Sequence, residues 1–351
     1  MGQCCSLKTK KMKSKKDLEQ KILADKQQAL LKNQVRNLQQ ENKYISKEND
    51  KLKKELEMSR VVKPTSTFEI KNYVPSGDNE ATPIIVASDW HLGETITLAE
   101  VNGLNQYNEK IARARAIQFF QGSLRITQIL NKDIPIKNCV LALLGDFINN
   151  MMFEEAMETN YLLPVKEVMF AQEIIASGIE YYLKNSKYNF TIVCHSGNHG
   201  RATKKPRNGE NEAGHSFEFL LYQNLANHFK YEKRVTFIIP ESYLSYLKIY
   251  DKVIAFHHGH NVRYMGGIGG ITIPMFKALG QWEQAKHADV YVNGHFHQLF
   301  DAGSFITNGS MVGWNSYSVA IKAKYEEPKQ VLFLMDKNRG KTITAPICFD
   351  I

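Results

Sequence analysis

Five short apolar runs in this chain end in the same way. PIIVAS leads into Asp89, Trp90 and His91, and CVLALL leads into Gly145 and Asp146. FTIVCH is followed by Gly197, Asn198 and His199, and KVIAF by His257, His258, Gly259 and His260. DVYVN is followed by Gly294, His295, Phe296 and His297. Each run is strand-like, and each ends in a glycine or polar turn that carries a potential metal ligand. The carboxyl ends of strands in an α/β sheet converge on one crevice, so ligands distant in sequence can meet there. Imidazole and carboxylate together suit Mn²⁺, Fe and Zn²⁺, and the absence of cysteine from the set argues against a structural zinc finger. A single histidine beside a strand is more often a satisfied core residue; the signal lies in the joint pattern.

The elements that position these turns alternate. PIIVAS is followed by a helical pattern from Asn108 to Leu130, CVLALL by one from Glu154 to Leu183, and FTIVCH by one from Gly214 to His228, which is α/β organisation. VTFIIP, KVIAFH, DVYVNG, SYSVAIKA and QVLFLM follow. This strand-rich stretch predicts a second sheet packed on the first.

Ahead of this body, the chain from Leu7 to Pro64 contains no glycine and is rich in Lys, Gln, Glu and Leu, a helix composition. A heptad register fits residues 28–58. Leu31, Leu38, Ile45 and Leu52 take the d positions, and Val35, Asn42, Asn49 and Leu56 the a positions. Asparagine at a fixes the register of two-stranded parallel coiled coils, so this helix predicts a homodimer. A single solvated helix with a weak stripe is the alternative. Residues 1–63 form a basic tail and coiled-coil helix, 64–80 read as a linker, and 81–351 as the catalytic body.

Composition bounds the rest. With 43% hydrophobic residues in 351 the chain can bury a core. Its longest apolar runs fall far short of the roughly 20 residues a spanning helix needs, and no apolar stretch follows the cationic N-terminus to make a secretory signal. Five cysteines, two of them in strand-like runs, read as free thiols in a reducing compartment, hence a cytoplasmic location. The net charge of +9 is local: residues 1–63 hold 17 Lys or Arg against 8 Asp or Glu, and the remainder holds 28 of each. The neutral body therefore has no general attraction for a polyanion.

D-x-H, GD, GNH, HG and GHxH in this order resemble the calcineurin-like metallophosphoesterase superfamily, over about residues 81 to 300. The segments ASDWHLGE, VNGLNQYN, LALLGDFI and GNHGR resemble a phage-type branch of it. The resemblance implies a β-sandwich flanked by helices and two divalent metal ions, manganese first, with iron or zinc as alternatives. Asp89, His91 and His297 would hold one ion and Asn198, His258 and His295 the other, with Asp146 between them. Two cations about 3.5–4 Å apart require such a bridge. His258 is chosen from HHGH because the family places its ligand immediately before the glycine. His199 would serve the leaving oxygen as an acid. Two departures stand out. Gly200 follows the GNH histidine where the family has an acid, and Phe147-Ile148-Asn149-Asn150 lacks the acid usual after GD.

The implied activity is phosphoric ester hydrolysis: a phosphodiesterase or nuclease on DNA or RNA first, a phosphomonoesterase second, and a coiled-coil adaptor that mainly binds third. Arg201, Lys204, Lys205 and Arg207 follow the GNH turn and could grip substrate phosphates, although Glu210 and Glu212 close by also suit a solvated mixed-charge loop. Gly266, Gly267, Gly269 and Gly270 suit a flexible loop. His195, His215, His228 and His287 have no motif context and are left out of the site. Met1-Gly2-Gln3-Cys4-Cys5-Ser6 fits N-myristoylation of Gly2. That would anchor the chain to a membrane, but a plain basic tail is favoured by the phage-type resemblance, which places the protein in the cytoplasm of an infected host cell.

Overall fold

The computed structural model describes residues 15–61, 68–70, 79–205, 213–263 and 270–349. Arg207, Gly2 and its neighbours, Gly266, Gly267, Gly269 and most of the expected linker lie outside them. The chain divides into two compact units, residues 1–73 and 74–351.

In the first unit, helix α1 runs unbroken over Lys15–Val61. The apolar heptad positions lie open along it, with Leu31, Val35, Leu38, Ile45, Leu52 and Leu56 all about half exposed. No described helix is long and apolar enough to cross a membrane.

The second unit begins with β1 (Ala81–Ala87), α2 (Glu109–Leu130) and β2 (Asn138–Leu143). Next come α3 (Glu154–Thr159), α4 (Pro164–Asn185), β3 (Asn189–Cys194), α5 (Phe217–His228) and β4 (Val235–Ile238). Then follow β5 (Ser245–Ile249), β6 (Lys252–Phe256), α6 (Thr272–Trp282), β7 (Val290–Asn293), β8 (Phe300–Asp301) and β9 (Phe305–Thr307). It ends with α7 (Ser316–Ala320), β10 (Lys329–Asp336) and β11 (Gly340–Cys348). The first sheet has the order β11-β10-β1-β2-β3-β4 and the second β5-β6-β7-β9-β8. β1 through β4 are parallel, as are β6, β7 and β9.

Strand alternation builds the layers. Ile84 and Val86 of β1, with Val140 and Ala142 of β2, face Ile254, Phe256, Val290 and Val292 of the second sheet in one buried cluster. Ile85 and Ala87 point the other way, to Phe119, Ala171, Ile175, Leu221 and Tyr222 on α2, α4 and α5. Ala255, Tyr291 and Phe305 on the outer face of the second sheet are covered by Met275 and Leu279 of α6. The architecture is mixed α/β: two packed sheets with helices on both outer faces.

Caps account for the helix boundaries. The Asn108 side chain accepts from the Ile111 backbone N–H at 3.1 Å and starts α2, and Ser216 Oγ accepts from Phe219 at 3.2 Å and starts α5. The helix expected from Glu154 to Leu183 is two, because Pro164 opens a new helix at its first position. SYSVAIKA, expected as a strand, is instead the helical turn α7. The Asn315 side chain accepts from the Ser318 N–H at 3.0 Å, and this cap outweighs the short alternation.

Candidate metal centre

Each of the five motif turns follows a strand, β1, β2 and β3 in the first sheet and β6 and β7 in the second, and their side chains meet. Three groups of ligand atoms each lie within 4.8 Å of one another: Asp89, His91 and His297; His91, Asp146 and His199; Asp146, His258 and His295. Asp146 appears beside both histidine sets. Its Oδ2 is 3.0 Å from His258 Nε2, and His258 Nε2 is 3.2 Å from Asn198 Oδ1. On the other side, His297 Nε2 lies 3.4 Å from Asp89 Oδ1 and 3.2 Å from His91 Nε2.

The backbone at these positions is held under strain. Asp89, His91, Asp146, His295 and His297 all have φ between 45° and 71°, a region that non-glycine residues rarely occupy and that marks functional sites when the surroundings enforce it. The surroundings do so here. The Asp89 N–H donates to the Gly145 carbonyl at 3.0 Å, and those of Trp90 and His91 donate to the Asp146 carbonyl at 2.8 and 3.0 Å. The His295 N–H donates to the Asp89 carboxylate at 3.0 Å. A Cβ on Gly145 or Gly197 would collide with the opposing turn, so the second and third turns need glycine to come this close.

A ring of outer partners fixes the ligands. His91 donates from Nδ1 to Asn149 Oδ1 at 3.0 Å, and His258 from Nδ1 to the Leu144 carbonyl at 2.6 Å. Each ring therefore turns Nε2 toward the centre, the arrangement that prepares histidine for a metal. Ser88 Oγ donates to Asp89 Oδ2 at 2.5 Å and accepts from Asn308 Nδ2 at 2.9 Å. Two buried glutamates hold the turns themselves. Glu167 takes the N–H groups of Asn149 and Asn150 at 2.7 and 2.8 Å, and Glu218 takes those of Phe147 and Gly197 at 2.6 and 2.7 Å. The motif search missed both. Their signal was a charge on the apolar face of a helix, Glu167 in line with Phe170, Ala171 and Ile174, and Glu218 with Leu221, Tyr222 and Leu225.

Electrostatics agree with a cation site. Burial, with His199 and His297 adding, lowers the pKa of His91 to about 3, and burial drives His295 well below the ordinary range. Both are neutral imidazoles with an open lone pair. Burial opposes charge on His258 too, but Asp146 outweighs it and raises its pKa to about 10. Burial raises Glu218 to about 7. Unlike burial, His258 and His199 favour the Asp146 carboxylate, which stays well below its usual range. Two carboxylates, four imidazoles and an amide oxygen converge, with the outer nitrogens of His91 and His258 occupied, and this donor set fits divalent metal ions.

No family model matches the chain, and no curated protein matches it. Solved structures do. An archaeal phosphodiesterase is 12% identical, with 75% of this chain and 99% of that chain covered at a TM-score of 0.35. A predicted phosphoesterase from Streptococcus pneumoniae is 12% identical, with coverage of 76% and 97% and a TM-score of 0.29. Zinc-complexed Vps29 from Entamoeba histolytica is 11% identical, with coverage of 76% and 99% and a TM-score of 0.29. Identities this low speak to fold alone, and at these scores the functional reading rests on the site.

The other expected residues divide. His199 lies at the centre, its ring 4.6 Å from that of His91, and it donates from Nδ1 to the Asn149 carbonyl at 2.8 Å. Arg201 is buried beside it, whereas Lys204 and Lys205 are exposed. Of the HHGH histidines, His258 reaches Asp146. His257 packs against Trp282, with ring centroids 5.0 Å apart, and His260 flanks His258 at 5.5 Å. His195 is buried against Ser245, while His228 and His287 pair with Glu180 and Glu283 at the surface. Cys139 and Cys194 are buried free thiols.

Proposed function

We propose that this protein is a binuclear, divalent-metal-dependent phosphoric ester hydrolase. The observation that carries this reading is the position of Asp146, a single carboxylate shared by the histidine groups on either side of it. Asp89, His91 and His297 would hold one ion and Asn198, His258 and His295 the other, with Asp146 shared between the two groups. Manganese is the proposed metal, with iron or zinc as alternatives, since a mixed nitrogen and oxygen set without thiolate suits all three. Bound ions would supply the charge that ionises water near neutral pH and neutralises phosphoryl oxygens.

The chain's own groups do the rest. Asp146 and Asp89 offset the repulsion between cations. The Asn149 carbonyl holds the Nδ1 proton of His199, which leaves Nε2 as the atom to carry a proton to the departing oxygen. Burial lowers the His199 pKa against the pull of Asp146, so Nε2 rests as an acceptor, and the proton it passes to the departing oxygen is the one it first takes up from the attacking water.

We propose a phosphodiester substrate of nucleic-acid type, supported by the cations from Arg201 to Lys205 beside the site and by the phage-like segments. A homodimer through residues 28–58 is supported by the exposed heptad stripe, and a cytoplasmic location by the free thiols of Cys139 and Cys194. The test compares manganese-loaded protein on bis-p-nitrophenyl phosphate, p-nitrophenyl phosphate, and single- and double-stranded DNA. Cleavage of the diester and of DNA is expected. Cleavage of the monoester alone would leave a phosphomonoesterase, and cleavage of none would leave a binding protein.

A further inference from the structure

The cations after the GNH turn are not equivalent. Lys204 and Lys205 are exposed, but the Arg201 side chain is built into the wall of the centre, and the residue is only 9% exposed. Its Nε donates to the Thr203 carbonyl at 3.1 Å, and its Nη1 to the carbonyl of Asn198. Asn150 Nδ2 donates to the carbonyls of both His199 and Arg201, at 2.7 and 2.8 Å. The guanidinium lies 4.8 Å from the centre of the Phe153 ring, and the same ring is 4.7 Å from the His199 imidazole. Among the described residues Arg201 pairs with no carboxylate, and Nη2 has no hydrogen-bond partner.

The Asp146 carboxylate acts on the Arg201 charge from a distance, and a guanidinium whose Nη2 is uncommitted can be completed by an anion that reaches it. The position indicates which anion. Through Phe153, Arg201 stands next to His199, the residue proposed to serve the leaving oxygen. We infer that Arg201 and Phe153 form a leaving-group subsite for a second phosphate, one carried by the leaving group itself. The substrate class is then an ester or anhydride with two phosphates in close succession. A nucleoside polyphosphate and a nucleic-acid strand with its next phosphate share this chemistry. The inference rests on the phosphoesterase reading for the word leaving group, but the anion subsite is a separate claim.

Calorimetry on the full chain with methylenediphosphonate and methylphosphonate measures the subsite without turnover. The diphosphonate should bind at least about ten-fold more tightly. Arg201→Gln should remove most of that gap, while Arg201→Lys retains part of it. Chelation of bound metal by the diphosphonate is the same in every variant, so it cancels in the comparison. An unchanged gap in Arg201→Gln, or no gap in the wild type, overturns the subsite. Hydrolysis provides the second readout, as a ratio within one protein. The dinucleotide TpT should be cut more slowly than TpT carrying a terminal phosphate on either end, or adenosine diphosphate should be cut, and Arg201→Gln should bring the ratio of phosphate-bearing to plain substrate toward one. Preference for the phosphate-bearing dinucleotide assigns the second phosphate to a strand, and preference for adenosine diphosphate assigns it to a polyphosphate. If p-nitrophenyl esters are cut but the affinity gap is absent, the subsite fails and the hydrolase stands. If Arg201→Gln closes the gap but nothing is cut, the subsite stands and the hydrolase fails.

Discussion

His91 Nδ1 stands 3.0 Å from Asn149 Oδ1. The same asparagine offers its backbone carbonyl to His199 at 2.8 Å, so one residue sets the orientation of a metal-ligand candidate with its side chain and of the proton carrier with its main chain. Asn149 in turn is held from behind by Glu167 through its N–H. Asn149→Ala removes only the first of these functions. It should weaken the metal held by His91 about 10–100-fold, measured by competition against a fluorescent chelator, and Asn149→Asp should restore most of the affinity. Unaltered affinity in the alanine variant would remove Asn149 from the ligand shell.

His199 separates proton transfer from ligation. His199→Ala should leave both ions bound and slow turnover on bis-p-nitrophenyl phosphate by roughly 10²–10⁴-fold. A ring nitrogen of His199 also lies within 4.8 Å of ligand atoms of His91 and Asp146. Loss of an ion in elemental analysis of this variant would therefore make it a ligand.

Glu218 bridges two turns with separate oxygens, Oε1 to Phe147 and Oε2 to Gly197. Glutamine has one acceptor oxygen and would set an NH₂ group against a backbone N–H. Glu218→Gln should cost about 1–3 kcal/mol of stability in denaturant titration, despite the loss of a buried charge. A neutral or stabilising effect would mean that the carboxyl group is protonated in the fold.

How much was legible in the sequence depended on the range of the signal. The ligand turns could be read because strand-like run and polar turn are adjacent in sequence, and the two-sheet body because its strands are short and apolar. Glu167, Glu218 and Asn308 could not, since their partners are 17 to 220 residues away and no local pattern records a buried hydrogen bond. SYSVAIKA misled for the opposite reason: its alternation is too brief to outweigh the Asn315 cap. The cations from Arg201 to Lys205 read alike in the sequence, and only burial distinguishes Arg201.

The heptad stripe of α1 is exposed along the single chain, and burying it requires a second helix. Deleting residues 1–63 should convert a dimer to a monomer in sedimentation and bring the formal charge from +9 to zero, with hydrolysis of bis-p-nitrophenyl phosphate retained. An unaltered ratio of assembled to single-chain mass would place the dimer contact in the catalytic body.

The most direct measurement counts metal ions per chain in the wild type and in Asp146→Asn, by elemental analysis after manganese loading, alongside hydrolysis of bis-p-nitrophenyl phosphate. The shared carboxylate predicts two ions per wild-type chain. In the variant both ions should be weakened together and hydrolysis lost, because an amide cannot offset the repulsion between two cations. A wild-type chain that binds one ion or none, or an Asp146→Asn protein that retains full activity, would contradict the binuclear centre.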